Sequence, residues 1–120
     1  MKFRCQSKED VPLPPKYTFS QAFNYFSAEN NSFYILENGE DFIQCAGSKS
    51  TCTIEFKKDN DHYVFYDPAG SEEEVTIECS VGPINRKSKH CFHFSKAIEL
   101  FKCFYSGSEF PEGLKLEKIN

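Results

Sequence analysis

The stretch "HCFH" sets two imidazoles and a thiol, His90, Cys91 and His93, within four positions. Those groups can ligate a metal, or pair a thiolate nucleophile with a base. On an extended strand Cys91 and His93 would share one face and His90 would take the other. A metal site would then need His90 outside the strand and a distant fourth ligand. A Cys–His nucleophile needs an exposed thiolate facing its imidazole, and six Cys with three His offer many chance pairings. The sequence holds no Cys-x-x-Cys, no glycine-rich phosphate loop, no paired-carboxylate motif and no Gly-x-Ser-x-Gly. The expectation is a protein that is not an enzyme, with no catalytic residue, cofactor or metal.

Charge carries more information. Residues 55–78 hold eight acids against Lys57 and Lys58, a balance of −6 inside a chain whose net charge is −4. Residues 79–108 hold five Lys and Arg against Glu99, or +4. Clustered like charge steers association with an oppositely charged partner. Asp59, Asp61, Asp67, Glu72, Glu73 and Glu74 are therefore the candidate docking residues for a basic protein. Glu72–Glu74 stand out because three adjacent carboxylates repel one another and no cation lies near them in sequence. The competing reading is a solvated face whose charges guard strand edges. The basic loop "NRKSKH" (85–90) is the weaker alternative, a nucleic-acid contact. A pI of about 5.4 argues against direct nucleic-acid binding.

These residues must be positioned by a fold, and the remaining pattern says which. The chain has 120 residues, 39% of them hydrophobic and 13 of them Phe, enough for one packed domain over 1–120. Residues 1–17 carry Pro12, Pro14 and Pro15 and read as an irregular lead-in. Residues 1–20 lack the apolar core of a signal peptide, and no run is long enough to cross a membrane, so a cytoplasmic location is expected. The six Cys lie in apolar runs and read as free, buried thiols.

In "TFSQAFNYFSAEN" (18–30), Thr18 and Gln21 match a capping box, and Phe19, Phe23 and Phe26 form a helical stripe. Asn38-Gly39 predicts a type I′ hairpin turn. "TCTIEFKK" alternates, with Cys52, Ile54 and Phe56 facing a core and Thr53, Glu55 and Lys57 facing water. "EVTIECSV" alternates too, with Val75, Ile77, Cys79 and Val81 inward, and "HCFHF" reads as a short sixth strand. Ser95 is placed to cap a last helix that Gly107 ends. The fold class expected is α+β: a single antiparallel, meander-like sheet of five to six strands, with an N-terminal and a C-terminal helix packed on one face. Residues 107–120 form a tail folded back on the core by Pro111 and Gly113.

The stretches "DFIQCAG" (41–47), "CTIEFKKDNDHY" (52–63) and "SKAIELFKCFYSGSEFPEGLKLEKI" (95–119) together resemble the Imm-type bacterial immunity proteins of polymorphic toxin and contact-dependent growth inhibition systems. The resemblance implies a protein that neutralises a cognate toxin C-terminal domain, often a nuclease, by binding its active site or substrate groove. An acidic inhibitor surface can stand in for the phosphates such a toxin recognises. An intracellular adaptor domain with no toxin partner is the alternative.

Overall fold

A computed structural model describes all residues, Met1–Asn120. Six strands form one antiparallel sheet: β1 (Lys2–Cys5), β2 (Phe33–Asn38), β3 (Asp41–Gly47), β4 (Cys52–Lys58), β5 (Asp61–Tyr66) and β8 (Lys115–Lys118). They lie in the order β1-β2-β3-β4-β5-β8. Two further strands, β6 (Glu74–Ile77) and β7 (Ile84–Lys87), pair only with each other, so the chain has a second, small sheet where one was expected. There are two helices, α1 (Phe19–Phe23) and α2 (Phe94–Ser106).

Several expectations are corrected. The lead-in is not wholly irregular: "KFRC" forms β1 along β2, with Phe3 opposite Leu36 and Cys5 opposite Tyr34. "HCFHF" is not a strand. Ser88–His90 form a single 3-10 turn, Phe92 makes an isolated bridge to Cys52, and α2 begins at Phe94. The cap of α2 is His93, whose Nδ1 accepts the Ser95 N–H at 3.3 Å, and not Ser95 itself. At the other end Gly107 adopts φ 72°, and Ser108 N–H reaches back to Cys103 O at 3.0 Å. That closes the helix as a Schellman turn.

The capping box of α1 is present: Gln21 N–H donates to Thr18 Oγ1, and Thr18 N–H donates to Gln21 Oε1. Yet α1 stops after five residues. Asn31 pulls the chain out of the helix by exchanging backbone bonds with Ser27 and donating from Nδ2 to Tyr25 O. Phe26 still reaches the core, without a helix to carry it.

The hairpin turns are also redistributed. Asn38 pairs with Asp41, so the β2–β3 loop is Gly39-Glu40, and only Gly39 has positive φ. The type I′ signature lies one hairpin later. Lys58 pairs with Asp61, and Asp59 and Asn60 both take positive φ, at 53° and 72°.

Cross-strand register puts Phe3, Leu36, Ile43 and Phe56 on one face, with Tyr34, Cys45 and Ile54 beside them. Rings from the helical segments meet this face. Phe23 stacks on Tyr34 at 4.3 Å between ring centroids, Phe101 meets Phe3 at 6.0 Å, and Phe104 meets Phe56 at 6.1 Å. The tail contributes Phe110, edge-on to Phe56 and Phe65 at 5.1 and 4.9 Å.

The opposite face is not simply wet. The β6–β7 hairpin covers its β4 side, so Thr53 is buried and the Glu55 side chain is only 13% exposed. The hairpin packs closely against Gly47. A Cβ there would lie 2.4 Å from Thr51 O and 2.7 Å from Ile77 Cγ2, so no larger residue fits. Val81, expected inward, is 72% exposed at the hairpin tip.

All six Cys are free, with Cys5, Cys45 and Cys52 buried. Burial pushes the Cys52 thiol from 9.0 up to about 12, and raises the Cys45 thiol and the Tyr34 phenol as well. The unfolded chain therefore releases these protons first. Stability is complete below pH 9 and falls as pH rises toward the folded-state values. The denaturant midpoint is expected to drop between about pH 9 and about pH 12. An unchanged midpoint would mean that these groups ionise inside the fold.

Candidate docking surface

The expected docking acids do not form one surface. Asp59 and Asp61 stand at the β4–β5 turn, while Asp67 and Glu72–Glu74 follow the far end of β5. At about 3.3 Å per residue, Asp61 and Asp67 lie roughly 20 Å apart. Half of the six are already neutralised within the chain. Glu72 Oε1 is 2.7 Å from Lys89 Nζ, Glu74 is 3.9 Å from Lys87, and Asp61 is 3.1 Å from Lys118. The hydrogen bond from Lys89 lowers the Glu72 carboxyl below its usual value. Asp67 shapes its own turn by accepting the Ala69 N–H. The acidic cluster and the basic loop, rival interface candidates in sequence, are thus the two sides of one hairpin. Its ladder sets Glu74 opposite Lys87.

The same hairpin organises polar groups on the covered face. Glu55 accepts a hydrogen bond from Gln44 Nε2 at 3.1 Å and lies 3.6 Å from Arg86. Its other oxygen lies 2.8 Å from His62 Nε2, off the line of the ring N–H, so that contact is electrostatic and not a hydrogen bond. Arg86 is anchored: Nε donates to Thr53 Oγ1 at 3.2 Å and Nη1 to Asn85 O at 3.1 Å. His90, 5% exposed, accepts the Lys87 N–H at Nδ1 and places Nε2 3.3 Å from Glu117. A groove of about 430 Å³ runs between this hairpin and the sheet. Its cationic walls are held by the chain's own carboxylates and backbone.

The "HCFH" cluster comes apart in the fold. His90 turns to Glu117, Cys91 Sγ donates to Lys87 O at 3.5 Å, and His93 caps α2. Burial raises the Cys91 thiol above its usual value, which opposes nucleophile activation. No group of three or more His, Cys, Asp or Glu side chains is placed to hold a metal. No helix is long and apolar enough to cross a membrane.

A second depression, about 450 Å³, opens between the sheet and the end of α2. Its floor is aromatic, with Phe56, Phe104 and Phe110, and Asp41, Lys58 and Glu109 also line it. Asp41 Oδ1 accepts the Asp59 N–H at 3.1 Å, which brings the β2–β3 and β4–β5 turns together beside it. Asp41, Asp59, Glu109 and neighbouring Glu40 take part in no ion pair. None of the six expected acids lines it; Asp59 comes nearest, through its backbone bond to Asp41. Nothing in the sequence singles out Asp41 and Glu109, which lie outside the dense acidic run and come to one depression only through the fold.

No protein-family profile matches the sequence, and no curated protein or solved structure matches it significantly.

Proposed function

We propose that this protein is an immunity protein of the cytoplasm. It binds a cognate toxin C-terminal domain, of basic nuclease type, as a tight heterodimer and blocks its active site or substrate groove. The observation that carries this reading is the socket at the end of α2, an aromatic floor beside unpaired carboxylates. With both helices layered on one face of the sheet, the socket opens at the end of that layer. Such a shape suits an Arg or Lys side chain. The aliphatic stem lies on the Phe rings while the cation meets Asp41 and Glu109. Arg anchors seated in desolvated pockets dominate many protein interfaces. Asp59 and Glu40 extend the negative field around the rim and favour fast encounter with a basic groove.

The test is co-expression with the C-terminal domain of the protein that the neighbouring gene encodes. The expected result is a stable 1:1 complex and restored growth. Arrest that persists with no complex would overturn the reading and favour an adaptor domain without a toxin partner.

A further inference from the structure

The two edges of the six-stranded sheet are finished differently. Along β1 the outer edge is covered: Cys5 exchanges backbone hydrogen bonds with Lys8, and Val11 N–H donates to Phe3 O. Along β8 the only neighbour is β5. Ile119 N–H donates to His62 O at 2.8 Å, so 119 and 62 are a hydrogen-bonded pair. Hydrogen-bonded and non-bonded pairs alternate along an antiparallel ladder. Glu117 and Lys115 therefore bond inward to β5, and the N–H and C=O of Leu116 and Lys118 point outward. All four β8 residues are exposed, and Leu116 and Ile119 are two of only five large hydrophobic residues exposed in the chain.

We infer that β8 is a self-pairing edge, on which a second copy of this chain adds its own β8 antiparallel across a two-fold axis at Leu116. The residues select this register over its neighbours. A two-fold axis perpendicular to the sheet keeps each side chain on its own face, so the strand must pair about a residue and not between two. Centred on Leu116, the two Leu116 backbones exchange both hydrogen bonds through their outward groups. Leu116 faces its own copy, and Lys115 faces Glu117 twice. Centred on Glu117, two carboxylates would meet directly across a non-hydrogen-bonded pair, where side chains lie closest. Centring on Lys115 or Lys118 would oppose two ammonium groups. Opposite charges directly across a ladder stabilise it and like charges destabilise it. Lys115 has no ion-pair partner within its own chain, and Glu117 remains 46% exposed beside Lys89 and His90. Short charged strands often guard an edge against association; here the Lys-Leu-Glu order complements itself. The inference does not depend on the immunity reading, since it uses no socket residue.

Sedimentation of the full chain from about 1 µM to about 1 mM covers the range of weak, small interfaces. The expected result is a monomer that becomes a dimer as concentration rises. Lys115→Glu replaces two attractive pairs with two repulsive ones, and should weaken the dimer about tenfold or more while leaving the thermal melt unchanged. Leu116→Cys tests the register directly. Paired Cα atoms about 5.5 Å apart permit a disulfide, so mild oxidation should link the two copies through position 116, identified by mass spectrometry of the joined peptides. A monomer at every concentration, with no 116–116 link, overturns the inference, even if a different protein is found to protect this edge. A dimer that ignores Lys115→Glu, or that cross-links only through the native cysteines, uses another surface and overturns it equally.

Discussion

Neutralising the socket with Asp41→Asn and Glu109→Gln together is expected to weaken the toxin complex by about a hundredfold. Asn at 41 keeps an oxygen to accept the Asp59 N–H at the turn, so the fold is preserved while the charge is lost. Two effects add. The cation seated on the Phe rings loses its partners, which raises the dissociation rate. The field around the rim also weakens, which lowers the association rate and flattens its dependence on salt, since screening acts over about 8 Å at physiological ionic strength. Charge reversals at Glu72 and Glu74 are the informative contrast. Those carboxylates are paired with Lys89 and Lys87, and should change the affinity by no more than about threefold. Stopped-flow association at two salt concentrations, with dissociation measured separately, distinguishes the cases. A larger loss from the Glu72 and Glu74 variants than from the socket pair would move the interface to the β6–β7 hairpin.

That contrast shows what the sequence carried and what it could not. Local chemistry was legible. The capping box at Thr18 and Gln21, the αL residue at Gly107 and the inward side of "TCTIEF" each depend on residues within one turn or strand, and each takes the expected form; the outward side of "TCTIEF" does not, because the β6–β7 hairpin buries Thr53. Pairing between distant segments was not legible. "KFRC" is four residues long and sits before three prolines, and only β2, some thirty residues later, makes it a strand. "INRK" looked like the start of a basic loop because its strand character comes from the acidic β6 opposite. The same pairing cancels much of the charge that made Glu72–Glu74 prominent. The socket is the extreme case. It joins residue 41, residues 56–58 and residues 103–110, and no local pattern marks any of them as neighbours. Charge along the chain marks only where acids are dense. The fold decides which of them are left unopposed.

Phe101→Ala is expected to cost about 3–5 kcal/mol, the largest effect of any single truncation in the core. The ring is fully buried where three segments converge. It meets Phe23 of α1 edge-on at 5.1 Å, Phe19 at 6.1 Å and Phe3 of β1 at 6.0 Å. Its removal leaves a cavity among rigid aromatics that cannot close around it, so packing is lost on every side and water gains nothing by entering. β1 is held to the sheet by one short ladder and by Phe3, and α1 is too short to be stable without tertiary contacts. Both should loosen together. A domain of this size has only about 5–15 kcal/mol in total, so the variant should unfold at a much lower denaturant concentration. Backbone amides of residues 2–5 and 19–23 should lose protection from hydrogen exchange ahead of those in β3 and β4. Tyr25→Ala, at a ring that is 68% exposed, serves as the control and should change stability by less than about 0.5 kcal/mol. If Phe101→Ala lowered stability by no more than this control, the helices would not be held to the sheet by this ring cluster. The socket would then lose the frame that keeps Phe104 and Phe110 in place beside Asp41.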